Sequence, residues 1–502
     1  MQSSDEFPIA IIGAGFAGIG AAIRLQQAGL RSFTIFERAD EIGGTWRDNT
    51  YPGCACDVPS HVYSFSFEQN PDWERAYASA GEIQRYLLGC VERHGLRARL
   101  RTRTAITAAR FEEATGRWLL QTSAGDTVSA RVVIAGVGGL VDPAYPSIPG
   151  LERFAGAMFH TARWDHGCDL RGRRVAVIGT GASAVQVVPA IAPIVGHLSV
   201  FQRTAPWVMP KRDRAIPEWA RRWFARVPPL QTAYRWLLFA VSEAMGPIVF
   251  LDSPLSKLGE WASLRHLERS VSDPVLREKL TPHFQFGCKR VLISDDYWPS
   301  FERENVELVT EPIREITASG VVTADGREHA VDVLVLATGF KLGLANAPFP
   351  ITGLAGQTLD AAWKDGAVAY KGVTVTGFPN WFMLMGPNTG PGHTSVLVYT
   401  EHQIAYALQA IARLRRGDLA YLDVRREVMD AYNAQLQRRM RYMAWSSGCM
   451  SWYLNPDGSN HALFPGFASE YCLRIRRFRP AEYRLVPWAA APIGLPVGAT
   501  VM

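Results

Sequence analysis

Two glycine-rich turns, each entered from a short apolar run, restrict this chain more than any other feature in it. Residues 7–12 lead into Gly13-Ala14-Gly15-Phe16-Ala17-Gly18, and residues 174–178 lead into Gly179-Thr180-Gly181-Ala182-Ser183-Ala184. An apolar run stopped by glycine reads as a parallel strand buried on both faces. The glycines then have separate tasks. Gly13 and Gly179 let the chain turn sharply, and Gly15 and Gly181 let backbone approach a pyrophosphate. Gly18, and Ala184 as its counterpart, let the following helix pack on the strand. That helix offers free N–H groups and the positive end of its dipole to phosphate.

The strands that come next end differently. Residues 33–36 run into Glu37, a carboxylate placed to accept hydrogen bonds from ribose hydroxyls. Residues 198–201 run into Gln202-Arg203-Thr204, with no acid, and a cation there suits a ribose 2′-phosphate better than a free hydroxyl. The bland reading of Arg203 is an exposed surface arginine. The fold class that follows is α/β, with two Rossmann-like dinucleotide-binding domains.

Between and around these turns lie further constellations. Gly43-Gly44-Thr45-Trp46 precedes Tyr51-Pro52-Gly53-Cys54-Ala55-Cys56-Asp57. Only Ala55 separates the two thiols, which is too close for the spacing of flavin disulfide reductases, so a dithiol role is not expected. Short strands are expected over residues 106–111, 118–123 and 130–136, after a helix over 78–95. A proline-rich turn (Pro143, Pro146, Pro149-Gly150) introduces residues 154–165, which read as a linker crossing between domains, with Phe154, Phe159 and Trp164 in its seam. Residues 210–280 hold four tryptophans among alternating apolar and basic stretches and read as an inserted helical subdomain. Phe284 to Leu292 includes Lys289-Arg290, a pair that is most often a solvated strand end. Residues 331–336 end in Ala337-Thr338-Gly339, a turn suited to backbone passing a cofactor, and a glycine-rich segment reaches His393, read as a loop-holding histidine.

The spacing Phe154-x-Gly156-x-x-x-His160-x-x-x-Trp164-Asp165 resembles the fingerprint of type I Baeyer–Villiger monooxygenases, and the likeness can be followed over roughly residues 7–475. The resemblance implies FAD in the first dinucleotide site and NADPH in the second. It divides the chain into a first part of the FAD domain (1–145), an NADP domain (146–339) with its helical insert at about 210–280, and a second FAD part with C-terminal helices (340–502). It further implies that Gly44, Thr45 and Trp46 line the flavin side and that Lys289 and Thr204 join Arg203 at the NADPH phosphate. Arg290 is then the catalytic cation, with Asp57 beside it. Without the resemblance Asp57 reads as a turn-capping carboxylate. The implied reaction converts a small apolar ketone and O₂ to an ester or lactone through a C4a-peroxyflavin, with Arg290 stabilising the tetrahedral intermediate. A flavin monooxygenase acting on nitrogen or sulfur is the second reading, and a redox sensor or uncoupled NADPH oxidase the third.

Net charge is +6 in 502 residues, but acids interleave with the Lys and Arg residues, so nucleic acid is not an expected partner. No metal-ligating pattern is read. Seven cysteines, an odd number spread over a long chain, argue against a disulfide framework and for a reducing, cytoplasmic setting. The acids Asp5 and Glu6 and the short apolar run after them do not make a secretory signal. Residues 236–251 are the most membrane-like stretch, but Glu243, Gly246 and Pro247 interrupt it short of the roughly 20 residues a span needs. Peripheral membrane contact by the insert stays open, as does oligomeric state.

Overall fold

The computed structural model describes residues 7–342, 348–449, 451, 454–455 and 457–488. Two five-stranded parallel sheets organise the chain. In the first, Ile9–Ile12 lies at the centre, flanked on one side by Val132–Ala135 and Trp381–Met383 and on the other by Phe33–Phe36 and Leu100–Arg101. In the second, Arg174–Ile178 is central, with His197–Phe201 and Val306–Val309 on one side and Val333–Leu336 and Ala157–His160 on the other. Both central strands are apolar because both of their faces are covered. In the second sheet the alternation is explicit: Val175 and Val177 face one hydrophobic cluster, and Ala176 and Ile178 face another.

The two sheets are joined by a crossing of two antiparallel strands, Leu140–Pro143 and Phe340–Leu342. Thr338 Oγ1 donates to Ala144 O (2.6 Å) at its base. Strands Val208–Met209 and Leu292–Ile293 pair in parallel, so the chain between them leaves and returns at neighbouring points. That excursion carries four helices: Glu218–Arg226, Pro228–Val249, Ser256–Ser270 and Pro274–Leu280.

Four readings change against the structure. The stretch 154–165 is not a free linker, because Ala157–His160 is the edge strand of the second sheet, in register with Val333–Leu336. The strand expected over 130–136 breaks at Arg131, whose guanidinium donates to the carbonyls of Gly116, Leu419 and Ala420. Thr127–Ala130 belongs to a separate antiparallel sheet, and Val132–Ala135 to the central one. The C-terminal part, expected to hold helices, also holds a strand pair: Tyr483–Pro487 runs antiparallel to Leu419–Val424. Finally, Cys288 and Cys449 are joined as a disulfide across 161 residues, where unpaired thiols were expected. Cysteine number and spacing cannot report such a pair, because only the fold brings the two sulfurs together.

Candidate active site

The first glycine turn is built as a phosphate cradle. Gly13 has φ +95°, and a Cβ there would meet Gly136 O at 2.5 Å, so the turn excludes any side chain. Gly18 is as restricted by approach, since a Cβ would lie 1.8 Å from Gly13 O. Gly15 caps helix Phe16–Gln27 without a side-chain hydrogen bond to its first turn. Gly44 caps the short helix Thr45–Asp48 and faces Gly15, with its Cβ position 3.3 Å from Gly15 Cα. Two helix starts therefore lie against each other at the turn. Thr45 is exposed at its edge, and Trp46 is buried and donates from Nε1 to Tyr63 OH (3.2 Å).

Glu37 is buried at the end of its strand and accepts from Ala14 N (2.9 Å), Ala39 N (3.0 Å) and Arg47 Nη1 (3.0 Å). Its carboxylate thus fixes the turn. The second turn repeats the scheme: Gly179 has φ +114° against Ala337 O, nothing lies within 4 Å of the Gly181 Cβ position, and Ala184 is wholly buried. Thr180 Oγ1 donates to Thr204 O (2.9 Å), tying the glycine turn to the loop that carries Arg203.

Lys289 reaches the same region from the far end of the insert. Its ammonium lies 4.8 Å over the Phe284 ring. Burial lowers its pKa, and the charge of Arg203 lowers it further. Two cations held within each other's field carry a cost that a phosphate dianion would relieve.

Arg290, the next residue, donates from Nη2 to Asp57 Oδ2 at 2.6 Å across 233 residues of sequence. The pair is open to solvent, with side-chain exposures of 41% and 26%, so it contributes at most about 1 kcal/mol to stability. Its consequence is orientation, because a guanidinium gripped by a carboxylate presents its other edge in a fixed plane.

What fixes Asp57 was not legible in the sequence. Gln186, on helix Ala184–Ile191 of the second sheet, accepts from Tyr51 OH (3.0 Å) and donates from Nε2 to Ala55 O (2.9 Å). A second tie joins Thr50 Oγ1 to His166 Nε2 (2.8 Å), just past Asp165. Burial raises the Cys54 thiol to about 11 and pushes Cys56 higher still, so neither is poised as a thiolate.

The fingerprint residues are spread through the second sheet's surroundings. Phe154 folds back over Gly156, where a Cβ would meet its ring at 2.7 Å. Phe159 and Trp164 pack edge to face (4.9 Å) in a cluster that also holds Tyr51. His160 is fully buried, accepts from Ala162 N through Nδ1 (3.1 Å), and has its pKa lowered by burial. These side chains hold the edge strand and its exit.

A cavity of about 630 Å³ lies among Trp46, Tyr51, Cys54, Tyr77 and Lys211, and one of about 700 Å³ between the insert helices and the segment around His61 and Tyr77.

Comparison with known proteins bears on this arrangement. The family described as pyridine nucleotide-disulphide oxidoreductase matches residues 10–219. A Baeyer-Villiger monooxygenase of Pseudomonas aeruginosa is 46% identical over 483 residues, covering 95% of this chain and 91% of the relative. One from Streptomyces coelicolor is 41% identical, covering 98% and 95%. Among solved structures, an oxidized steroid monooxygenase bound to NADP superposes with a TM-score of 0.84 at 29% identity, covering 96% of this chain and 99% of the other. Cyclohexanone monooxygenase from Rhodococcus sp. Phi1 bound to NADP+ gives 0.85 at 29% identity, with the same coverages. Relatives this similar over nearly their whole length, matched to a chain with two glycine-turn cradles, place it by descent as well as by geometry: it belongs to the Baeyer–Villiger monooxygenases.

Proposed function

We propose that this chain is an FAD- and NADPH-dependent monooxygenase that converts an apolar ketone and O₂ to an ester or lactone, with Arg290 as the cation that meets the developing oxyanion. The observation that carries the reading is the 2.6 Å contact between Arg290 and Asp57, which ties the insert's return strand to the flavin-side loop.

The residues fit both cofactors. The helix starts at Gly15 and Gly44 lie side by side and would offer backbone N–H groups to the phosphates, and Glu37 would meet the ribose. Around Gly181 the space is open, and Arg203 and Lys289 stand where a 2′-phosphate would be neutralised. When bound, the flavin reduced by NADPH supplies the oxygen nucleophile drawn from O₂. Arg290 then does what a fixed donor can do: as the ketone is attacked, negative charge grows on its carbonyl oxygen, and a guanidinium already aimed there needs no reorganisation. Asp57 sets the plane of that guanidinium, and Gln186 sets Asp57's loop. Phe159, Trp164 and Tyr51 close the seam between the sheets with apolar surface, which keeps water away.

The test is Arg290→Ala in the FAD-loaded enzyme. Stopped-flow reduction of flavin by NADPH should stay near the wild-type rate, while ester formation falls by about 100-fold or more. Normal ketone turnover by the variant would overturn the role of Arg290. Thioether oxidation by the wild type, with no ketone consumed, would overturn the reaction itself.

A further inference from the structure

The long insert helix, Pro228–Val249, is turned inside out. Its inward side carries polar groups, each held by the body of the protein. Gln231 donates to Asn70 O (2.6 Å), Arg235 donates to the carbonyls of His61 (2.5 Å) and Ser64 (2.9 Å), and Glu243 accepts from Ala468 N (3.0 Å) and Ser469 N (3.0 Å). Its outward side is apolar. Ala233, Trp236, Leu237, Ala240, Val241, Ala244 and Met245 recur at helical spacing, and all are exposed. Trp236 is 63% exposed, Leu237 58% and Val241 53%.

The neighbouring helices also expose large apolar side chains. Glu218–Arg226 shows Trp219 and Trp223, and Ser256–Ser270 shows Leu258 and Trp261, each more than half exposed. Large apolar side chains exposed in such number mark an interaction site. The apolar side chains left outside are stabilised only when another apolar surface removes them from water.

Charge decides what the cover is. Over residues 210–270 the exposed charged side chains are seven cations (Arg212, Arg214, Arg222, Arg226, Lys257, Arg265, Arg269) and three acids (Glu218, Asp252, Glu268). Four of the cations, Arg212, Arg214, Arg265 and Arg269, line a cavity together with Met245 and Trp261 of the exposed apolar set, and a second copy docked about a two-fold axis would set like charges against each other. An anionic lipid surface would complement these cations, with indoles at headgroup depth and the apolar stripe beneath. Among the described residues no helix is long and apolar enough to cross a membrane, so such a helix lies in the interface.

We propose that the exposed face of the insert helices docks this protein on anionic phospholipid bilayers. The cavity of about 700 Å³ shares Met245 and Trp261 with that face, so an apolar compound dissolved in lipid would meet the protein beside it.

The experiment is co-sedimentation of the FAD-loaded full chain with vesicles of equal parts phosphatidylglycerol and phosphatidylcholine, and with phosphatidylcholine alone. Binding to the anionic vesicles that weakens with added salt, and is several-fold lower on neutral ones, is expected. The double substitution Trp236→Gln with Leu237→Gln should lower partitioning by at least about tenfold. Both side chains are exposed, so the melting temperature and NADPH consumption of that variant should match wild type. Wild-type protein that stays in the supernatant, or a variant that sediments equally well, would overturn the proposal. So would a wild-type dimer in light scattering that ignores vesicles and is split by the same variant, which would assign the face to a second copy.

Discussion

At the scale of single residues, neighbouring positions are given different tasks. Lys289 and Arg290 adjoin in sequence, yet Lys289 lies over the Phe284 ring within the field of Arg203, and Arg290 turns toward Asp57. The proposed NADPH site gives Lys289 a part in the choice of nicotinamide cofactor. Lys289→Ala should raise KM for NADPH by about tenfold, leave KM for NADH nearly unchanged and spare kcat, because only the 2′-phosphate separates the two cofactors. Steady-state kinetics with both cofactors check this, and an equal rise for both would remove Lys289 from the phosphate site. The sequence offered these residue types by family likeness. The bidentate grip of Gln186 on the Asp57 loop had no such signal, since a glutamine on an apolar helix resembles any other polar helix residue.

At the scale of elements, the strands were the most legible because burial on both faces leaves an apolar run. The pairing Leu419–Val424 with Tyr483–Pro487 was missed, and its interior holds a charge that no pattern announces. Asp423 is 4% exposed and accepts from Gly377 N (2.9 Å). Burial lifts its pKa to about 6, against the opposing pull of that N–H and of Arg484. A carboxyl whose folded pKa lies above its unfolded value binds more protons when folded, so stability declines as pH rises from about 4 to about 6. The contribution is on the order of 3 kcal/mol. Asp423→Asn should flatten that decline, read from urea midpoints at pH 4 to 7.

At the scale of the molecule, the acid Glu243 joins Gln231 and Arg235 in pinning the insert to the flavin-side body. Glu243 Oε1 meets His393 Nε2 at 2.6 Å, and its carboxylate also accepts from Ser469. Burial would raise the Glu243 carboxyl, but the donors from His393 and Ser469 outweigh it and hold the pKa at about 2. A depressed folded pKa gives stability that is complete above the unfolded value and fades as pH falls toward about 2. Glu243→Ala leaves His393, 1% exposed, beside an unfilled partner site. The variant should lose about 2–4 kcal/mol near neutral pH, and the loss should shrink below about pH 4. Urea unfolding measures it, with proteolysis within residues 218–270 as the local readout.

The chain by itself determined the two dinucleotide cradles. Their geometry needs positive φ and backbone contact at Gly13 and Gly179, which only glycine supplies, so the demand is written in local sequence. Tertiary structure decided the rest: that Ala157–His160 is an edge strand, that Cys288 meets Cys449, that Gln186 holds the Asp57 loop, and that the insert helix faces its apolar side outward. Each of these is a relation between residues far apart in sequence. Local pattern encodes what a segment can bury, and the rest of the fold decides which side of it is buried.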